Sequence, residues 1–234
     1  ITYSLSSNPG NLFAIGSSSG IVTLSEGASL NFEADEEHDI EVTATSDDNS
    51  TSKQSYTIAV TDVDEYDVTT PTDGNDATNE IDENAVAGPV GITASASDAD
   101  GTTNTVTYSL TNDDGGNFDI DSGTGVVSTT GSLNHEEGAT RTIEVEATSA
   151  DGSSKSETFN ISVNDIDEFD VSSISDTNSS VETLAEDASS GDEVGITALA
   201  SDADGTTNTI TYSLSSNPGN LFAIGSSSGI VTLS

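Results

Sequence analysis

Carboxylates carry almost all of the chemistry open to this chain, and they recur at fixed places. Between residues 66 and 168 they include Glu83 in "DENA", Asp98 and Asp100 in "SDADG", Glu136 in "LNHE", and Asp165, Asp167 and Glu168 in "NDIDE". Two unit charges 4 Å apart repel by about 4 kcal/mol at an effective dielectric of 20, so a cluster of such groups needs cations among them or must stay apart. Oxygen ligands with no Cys and only two His suit a hard ion. Calcium fits best, because it accepts six to eight oxygens in flexible geometry. A single "DADG" is weak evidence and is often just a turn; the combined set is what points to Ca2+. An EF-hand reading of "DADGTTNTVTYS" fails, since Gly101 comes too early and Ser109 stands where the closing glutamate belongs.

Composition narrows the alternatives. Three Lys and Arg stand against 42 Asp and Glu, a net charge of −39 at pH 7. Phosphate binding needs clustered basic residues, so nucleic acid is excluded as a partner, and an anionic membrane surface would repel the chain. Acidity of this kind often marks a disordered chain, but short alternating apolar runs occur throughout. The absence of Cys excludes disulfides, thiolate metal sites and cysteine nucleophiles. No apolar run is long enough to span a membrane as a helix. Acid pairs could imitate a glycosidase dyad, but here they sit where a repeat demands, and no other catalytic arrangement emerges. The chain therefore reads as a non-enzyme. His38 aligns with Arg141 and His135 with Phe32; neither histidine recurs, and both are expected at the surface.

A repeated β unit must position these acids. Ile1–Ser25 recurs without a difference as Ile210–Ser234. Inside that repeat, "SDADGTTNTVTYSL" at Ser97–Leu110 returns as "SDADGTTNTITYSL" at Ser201–Leu214, and "VTDVDEYDV" at Val60–Val68 returns as "VNDIDEFDV" at Val163–Val171. The period defines a module of about 103–106 residues. Residues 66–168 make one whole module. Residues 1–65 are the later part of a module without its opening strands, and 169–234 the early part of one without its closing strands. The expected explanation is a window cut from a tandem array. The rival, in which separate chains complete each other's split module by donating strands, needs an assembly step that an array does not. Within the whole module, "TIEVEAT" at Thr142–Thr148 points Ile143, Val145 and Ala147 one way, and "TFNISV" at Thr158–Val163 does the same with Phe159, Ile161 and Val163. "TVTYSL" at Thr105–Leu110 adds Val106, Tyr108 and Leu110. Turn signals at Asn112–Gly116, Asp121–Gly125 and Ala150–Ser154 separate such runs. About seven short strands in about 100 residues predict an all-β, antiparallel β-sandwich.

The ordered motifs "ENA", "DADG..N", "TYSL", "FDIDSGTGVV", "LNHE", "IEVEATSADG" and "VNDIDE" resemble the cadherin repeat, particularly its bacterial form in large surface adhesins. The resemblance covers residues 66–168 and the matching portions of both ends. It implies tandem seven-strand Greek-key sandwiches in a linear array, with calcium bound between successive modules. Carried onto this sequence, the joint after residue 168 would use Glu83 and Glu136, then Asp165, Asp167 and Glu168, then Asp202, Asp204 and the backbone carbonyl of Asn208. The joint after residue 65 would use Glu33, Asp62, Asp64, Glu65, Asp98, Asp100 and Asn104. Glu186 in "AEDA" is the equivalent of Glu83 for the next joint downstream. The chain departs from the family where Asn31 and Asn134 replace an aspartate, and where Ser46 and Ser149 replace another for which Asp47 or Asp151 could substitute. Two calcium ions per joint are expected rather than three.

The resemblance implies an extracellular, calcium-stiffened spacer or filament segment of a giant adhesin. Its partners would be adjacent modules and identical chains in a filament. Calcium-dependent adhesion between identical modules is the second reading. Carbohydrate binding is the third, and the aromatics weigh against it. Tyr3, Tyr108 and Tyr212 are equivalents, as are Phe13, Phe118 and Phe222; Tyr56 matches Phe159 and Tyr66 matches Phe169. Most lie on the inward phase or at the linker, which leaves few for an exposed sugar platform.

Overall fold

The structure is a computed structural model and describes residues 1–234. Five strands form first: β1 (Thr2–Ser7), β2 (Phe13–Ile15), β3 (Val22–Leu24), β4 (Glu37–Thr45) and β5 (Thr51–Ala59). Eight follow: β6 (Thr72–Asp73), β7 (Glu80–Asp82), β8 (Pro89–Ser95), β9 (Val106–Asn112), β10 (Phe118–Ile120), β11 (Val126–Thr129), β12 (Thr140–Ser149) and β13 (Ser154–Asn164). The last four are β14 (Ser175–Asp176), β15 (Glu193–Leu199), β16 (Phe222–Ile224) and β17 (Ile230–Leu233).

The central eight make a β-sandwich of two four-stranded sheets, ordered β10-β11-β8-β6 and β7-β13-β12-β9. Alternation builds it. Val90, Ile92 and Val127 from one sheet meet Ile143, Val145 and Ile161 from the other, all at 1% exposure or less. The inward residues expected on β12 are the buried ones, and on β13 Ile161 and Val163 are buried while Phe159 packs against the core edge. Eight elements appear where about seven were expected, because the opening segment is divided. β6 pairs antiparallel with β8 in one sheet, whereas β7 pairs parallel with β13 in the other. The tight turn at Gly125 needs glycine: its φ is +71°, and a Cβ there would lie 2.3 Å from the Ala94 carbonyl oxygen. Tyr108 ties the sandwich's top, its hydroxyl accepting from the Ala96 amide at 2.9 Å.

The flanks are less complete. Residues 2–59 hold sheets β1-β4-β5 and β2-β3, and residues 175–233 hold one sheet, β14-β15-β17-β16. Val42 and Ala44 are half-buried where their counterparts Val145 and Ala147 are sealed. Tyr56, expected inward, is 54% exposed, because no second full sheet lies opposite it. His38 is not simply a surface residue: its ring packs edge-on against Phe13 with centroids 5.9 Å apart.

Candidate metal centres

Each "DADG" folds into the same carboxylate platform. Asp98 Oδ1 accepts the Asp100 amide at 3.1 Å, and the Asn104 side-chain amide donates to the Asp100 carbonyl at 2.6 Å. Asp202, Asp204 and Asn208 repeat this at 3.2 and 2.7 Å. Asp and Asn favour such turns because their short side chains bond nearby backbone. The effect is to bury the second aspartate, leaving Asp100 1% and Asp204 2% exposed.

These buried aspartates hold the linkers. Asp100 accepts the amides of Glu65 and Tyr66 at 3.4 and 3.2 Å; Asp204 accepts those of Glu168 and Phe169, both at 3.3 Å. Glu83 is fully buried on the other side of the second linker, taking the His135 and Ile166 amides at 2.7 Å each. Bonds also cross that joint. Glu136 accepts the Gly205 amide at 3.0 Å, and Asp165 accepts the Thr206 amide at 2.9 Å and its hydroxyl.

The result is four groups whose carboxylate oxygens lie within 4.8 Å of one another: Glu33, Asp62, Glu65 and Asp100; Asp64, Asp100 and Asp151; Glu83, Glu136 and Asp165; Asp165, Glu168 and Asp204. Asp151 groups with Asp64 and Asp100, two residues from Ser149, where the resemblance implied an aspartate; its only signal in the sequence was its nearness to that departure. Asp98, Asp167 and Asp202 border these groups without joining one. Asn104 and Asn208 brace the loops with their side chains. Glu186 is exposed and joins no cluster. Phe32 and His135, which looked unrelated, do the same job: each ring lies against the glycine of the following "DADG", so that a Cβ on Gly101 or Gly205 would come within 2.4 Å of Phe32 or 2.5 Å of His135. His135 Nδ1 also contacts the Val163 carbonyl at 2.7 Å, so it is a joint residue and not a free surface one.

The donor set fits a divalent cation. Asp62 Oδ1, Asp98 Oδ2 and Asp165 Oδ1 are buried with no hydrogen-bond partner. The three basic side chains pair elsewhere: Lys53 with Glu41, Lys155 with Asp67, and Arg141 with Asp114 and Glu137. Buried unpaired carboxylate oxygen is costly, and a hard cation is what such oxygens accept. The titration behaviour agrees. Partial desolvation, then the charges of Glu33 and Asp100, raise Glu65 above its ordinary value; desolvation, then Glu83 and Glu136, raise Glu168. Asp64 rises through desolvation and a hydrogen bond shared with Asp100, and Asp167 through a hydrogen bond shared with Asp204 and that group's charge. Asp165 is instead held low, chiefly by the Thr206 hydroxyl.

These directions set a pH response. An acid whose pKa is higher folded than unfolded binds more protons folded, so stability grows as pH falls through the folded value. In chelator, melting temperature should rise as pH drops from 7 toward the region just above the ordinary values of 3.8 and 4.5, then fall as Asp165 and Asp121 are protonated. With calcium saturating, protons compete with the ion and the slope should reverse. Melting curves across pH in both conditions check this, and parallel profiles would contradict it.

Comparison with known proteins agrees with this geometry. Residues 78–164 match the family described as cadherin domain. Over 99% of its length the chain superposes on mouse cadherin-23 EC22–24 with a TM-score of 0.72 at 23% identity, covering 74% of that chain. The protocadherin gammaB4 extracellular domain gives 0.77 at 21% identity over 99% of this chain and 37% of that one. Protocadherin gamma B7 domains 1–4 give 0.71 at 27% identity over 100% of this chain and 57% of that one. No curated protein sequence matches the chain. The chain is thus cadherin-like: residues 78–164 match the cadherin domain, and the fold of the whole is that of cadherin ectodomains.

Proposed function

We propose that this chain is a calcium-stiffened length of an extracellular tandem array, serving as a spacer or filament segment in a large surface adhesin. Its modules divide at 65/66 and 168/169, leaving 66–168 whole and the two flanking pieces partial. One observation carries the reading: carboxylates contributed from both sides of each linker converge, with buried oxygens that have no partner.

Glu33, Asp62, Asp64, Glu65, Asp98, Asp100, Asp151 and the backbone of Asn104 would hold ions at the first joint. Glu83, Glu136, Asp165, Asp167, Glu168, Asp202, Asp204 and the backbone carbonyl of Asn208 would hold them at the second. Bound calcium supplies positive charge shared between carboxylates of both flanks. The chain's own residues then set the stiffness. Asp100 and Asp204 clamp the linker backbone from one side, Glu83 clamps it from the other, and Phe32 and His135 fill the gap above the glycines. Without the ion, repulsion among these acids opposes every one of those contacts, and the few hydrogen bonds across the joint leave it free to bend. Affinities of about 10⁻⁴–10⁻³ M suit extracellular calcium. Small-angle scattering tests the idea. The maximum dimension should grow and the flexibility signature fade on moving from chelator to millimolar calcium; identical profiles would refute stiffening.

A further inference from the structure

We propose that Arg141 is a positioning residue for the cation at the second joint, holding in shape the loop that carries Glu136; this rests on the calcium reading above. Arg141 is one of only three basic residues in the chain, and its side chain is 15% exposed. It enters the sandwich at the start of β12, opposite Ile161 on β13. Its guanidinium reaches the Asn134–Gly138 loop, where Nη2 donates to the Asn134 carbonyl at 3.2 Å. Cζ lies 3.7 Å from the place a Cβ on Gly138 would take, so the planar group rests against bare backbone at that glycine. Asp114 and Glu137 flank it, with nitrogen–oxygen distances of 3.7 and 3.9 Å. Nε is buried without a partner, so the two terminal nitrogens alone hold the group in place.

What Arg141 braces is the framework of a ligand. Asn134 Oδ1 accepts the Glu136 amide at 2.9 Å, and Gly138 donates its amide to the His135 carbonyl at 2.9 Å. The His135 amide in turn donates to Glu83, and Glu136 Oε1 accepts the Gly205 amide across the joint at 3.0 Å. The loop therefore bears on two acids of one group, Glu83 and Glu136. The preceding repeat builds the same Asn-to-Glu turn by another route. There His38 stands in place of Arg141, and Asp35 in place of Gly138. Asn31 Oδ1 still accepts the Glu33 amide at 2.9 Å, but the Asn31 carbonyl takes the Asp35 amide at 3.2 Å. In the central loop the corresponding amide, on Gly138, goes to His135, and the Asn134 carbonyl is left to Arg141. A carbonyl that loses such a donor costs free energy unless the loop shifts to solvate it, and Glu136 shifts with the loop. Groups that orient a metal ligand from behind typically change affinity about 10–100-fold when removed.

Arg141→Met tests this, since methionine keeps an apolar stem in the sandwich and removes the guanidinium. Hydrogen exchange of the full chain is followed amide by amide through a calcium titration. Protection of Gly205 and Thr206 reports the second joint; protection of Glu65 and Tyr66, which donate to Asp100, reports the first. The calcium midpoint at the second joint should rise about 10–100-fold while that at the first stays in place. In chelator the Glu136 and Gly138 amides should lose protection, with the Ile143 and Ile161 amides of the core unchanged. Arg141→Lys keeps the charge but lacks the planar fork, and should move the second midpoint nearly as far. Equal midpoints in the parent and Arg141→Met would overturn the proposal. A loss at both joints together with the core would do the same, by making Arg141 a residue of the sandwich alone, and so would full recovery by lysine, by making charge the cause. A parent chain that gains no protection from calcium at either joint would bring down the calcium reading and this role with it. That outcome is distinct, because it is seen before any substitution is made.

Discussion

Glu136→Gln should change stability in opposite directions with and without calcium. Glu136 shares a group with Glu83 and Asp165, oxygens within 4.8 Å, and Oε1 accepts the Gly205 amide at 3.0 Å. Glutamine keeps an oxygen for that amide while removing one of three crowded charges. In chelator the variant should melt slightly higher, by the equivalent of less than about 1 kcal/mol, since the side chain is exposed and water screens it. In calcium it should melt lower. An ion present at a hundred times its dissociation constant stabilises by about 2.7 kcal/mol, and loss of a charged ligand forfeits most of that at this joint. Calorimetry of both proteins in both conditions checks the crossing. Shifts of the same sign would mean that Glu136 acts through packing and not through an ion. Glu33 occupies the equivalent place at the first joint, and Glu33→Gln should behave in the same way.

Ile161→Ala should cost about 2–5 kcal/mol, whereas Ile58→Ala, at the matching position of the previous repeat, should cost much less. Ile161 is fully buried between two complete sheets, while Ile58 remains half-buried on a sheet with no full partner. A cavity is expensive only where neighbours on every side are held in place. Hydrogen exchange localises the effect: protection should collapse across β12 and β13 in the first variant and barely move in β4 and β5 in the second. Equal losses would show that the β1-β4-β5 sheet is held as tightly as the central sandwich.

Period-two alternation made the sandwich legible. Ile143, Val145, Ala147, Ile161 and Val163 are inward in the sequence and buried in the structure, because a strand surrounded by water on one side admits only that pattern. The acid motifs were legible for the same kind of reason: repeated carboxylates at one phase of a repeat must end up in one place. Asp100, Asp204, Glu83, Glu136 and the linker acids Asp62, Asp64, Glu65, Asp165 and Glu168 do so, with Asp98, Asp167 and Asp202 at the borders of these groups. Other features needed the folded chain. Asp151 is separated from Asp64 by most of the central sandwich in sequence, and only closure of that sandwich brings their oxygens together. Phe32 and His135 share neither size nor polarity, so no pattern ties them; the space above a glycine Cα does. The side-chain amides of Asn104 and Asn208 donate to the Asp100 and Asp204 carbonyls, a brace within the loop that spacing alone did not show.

The amino-acid sequence alone thus determined the all-β unit, its period and the two acidic joints, because alternation, turn residues and charge repulsion act over a few neighbouring residues at a time. Tertiary structure alone decided which state the repeated segment takes. Residues 1–7 and 210–216 are the same peptide with the same local preferences, yet only the former is a strand. A lone strand leaves its backbone groups to water, and pairing depends on whether β4 lies beside it, which no local signal can encode.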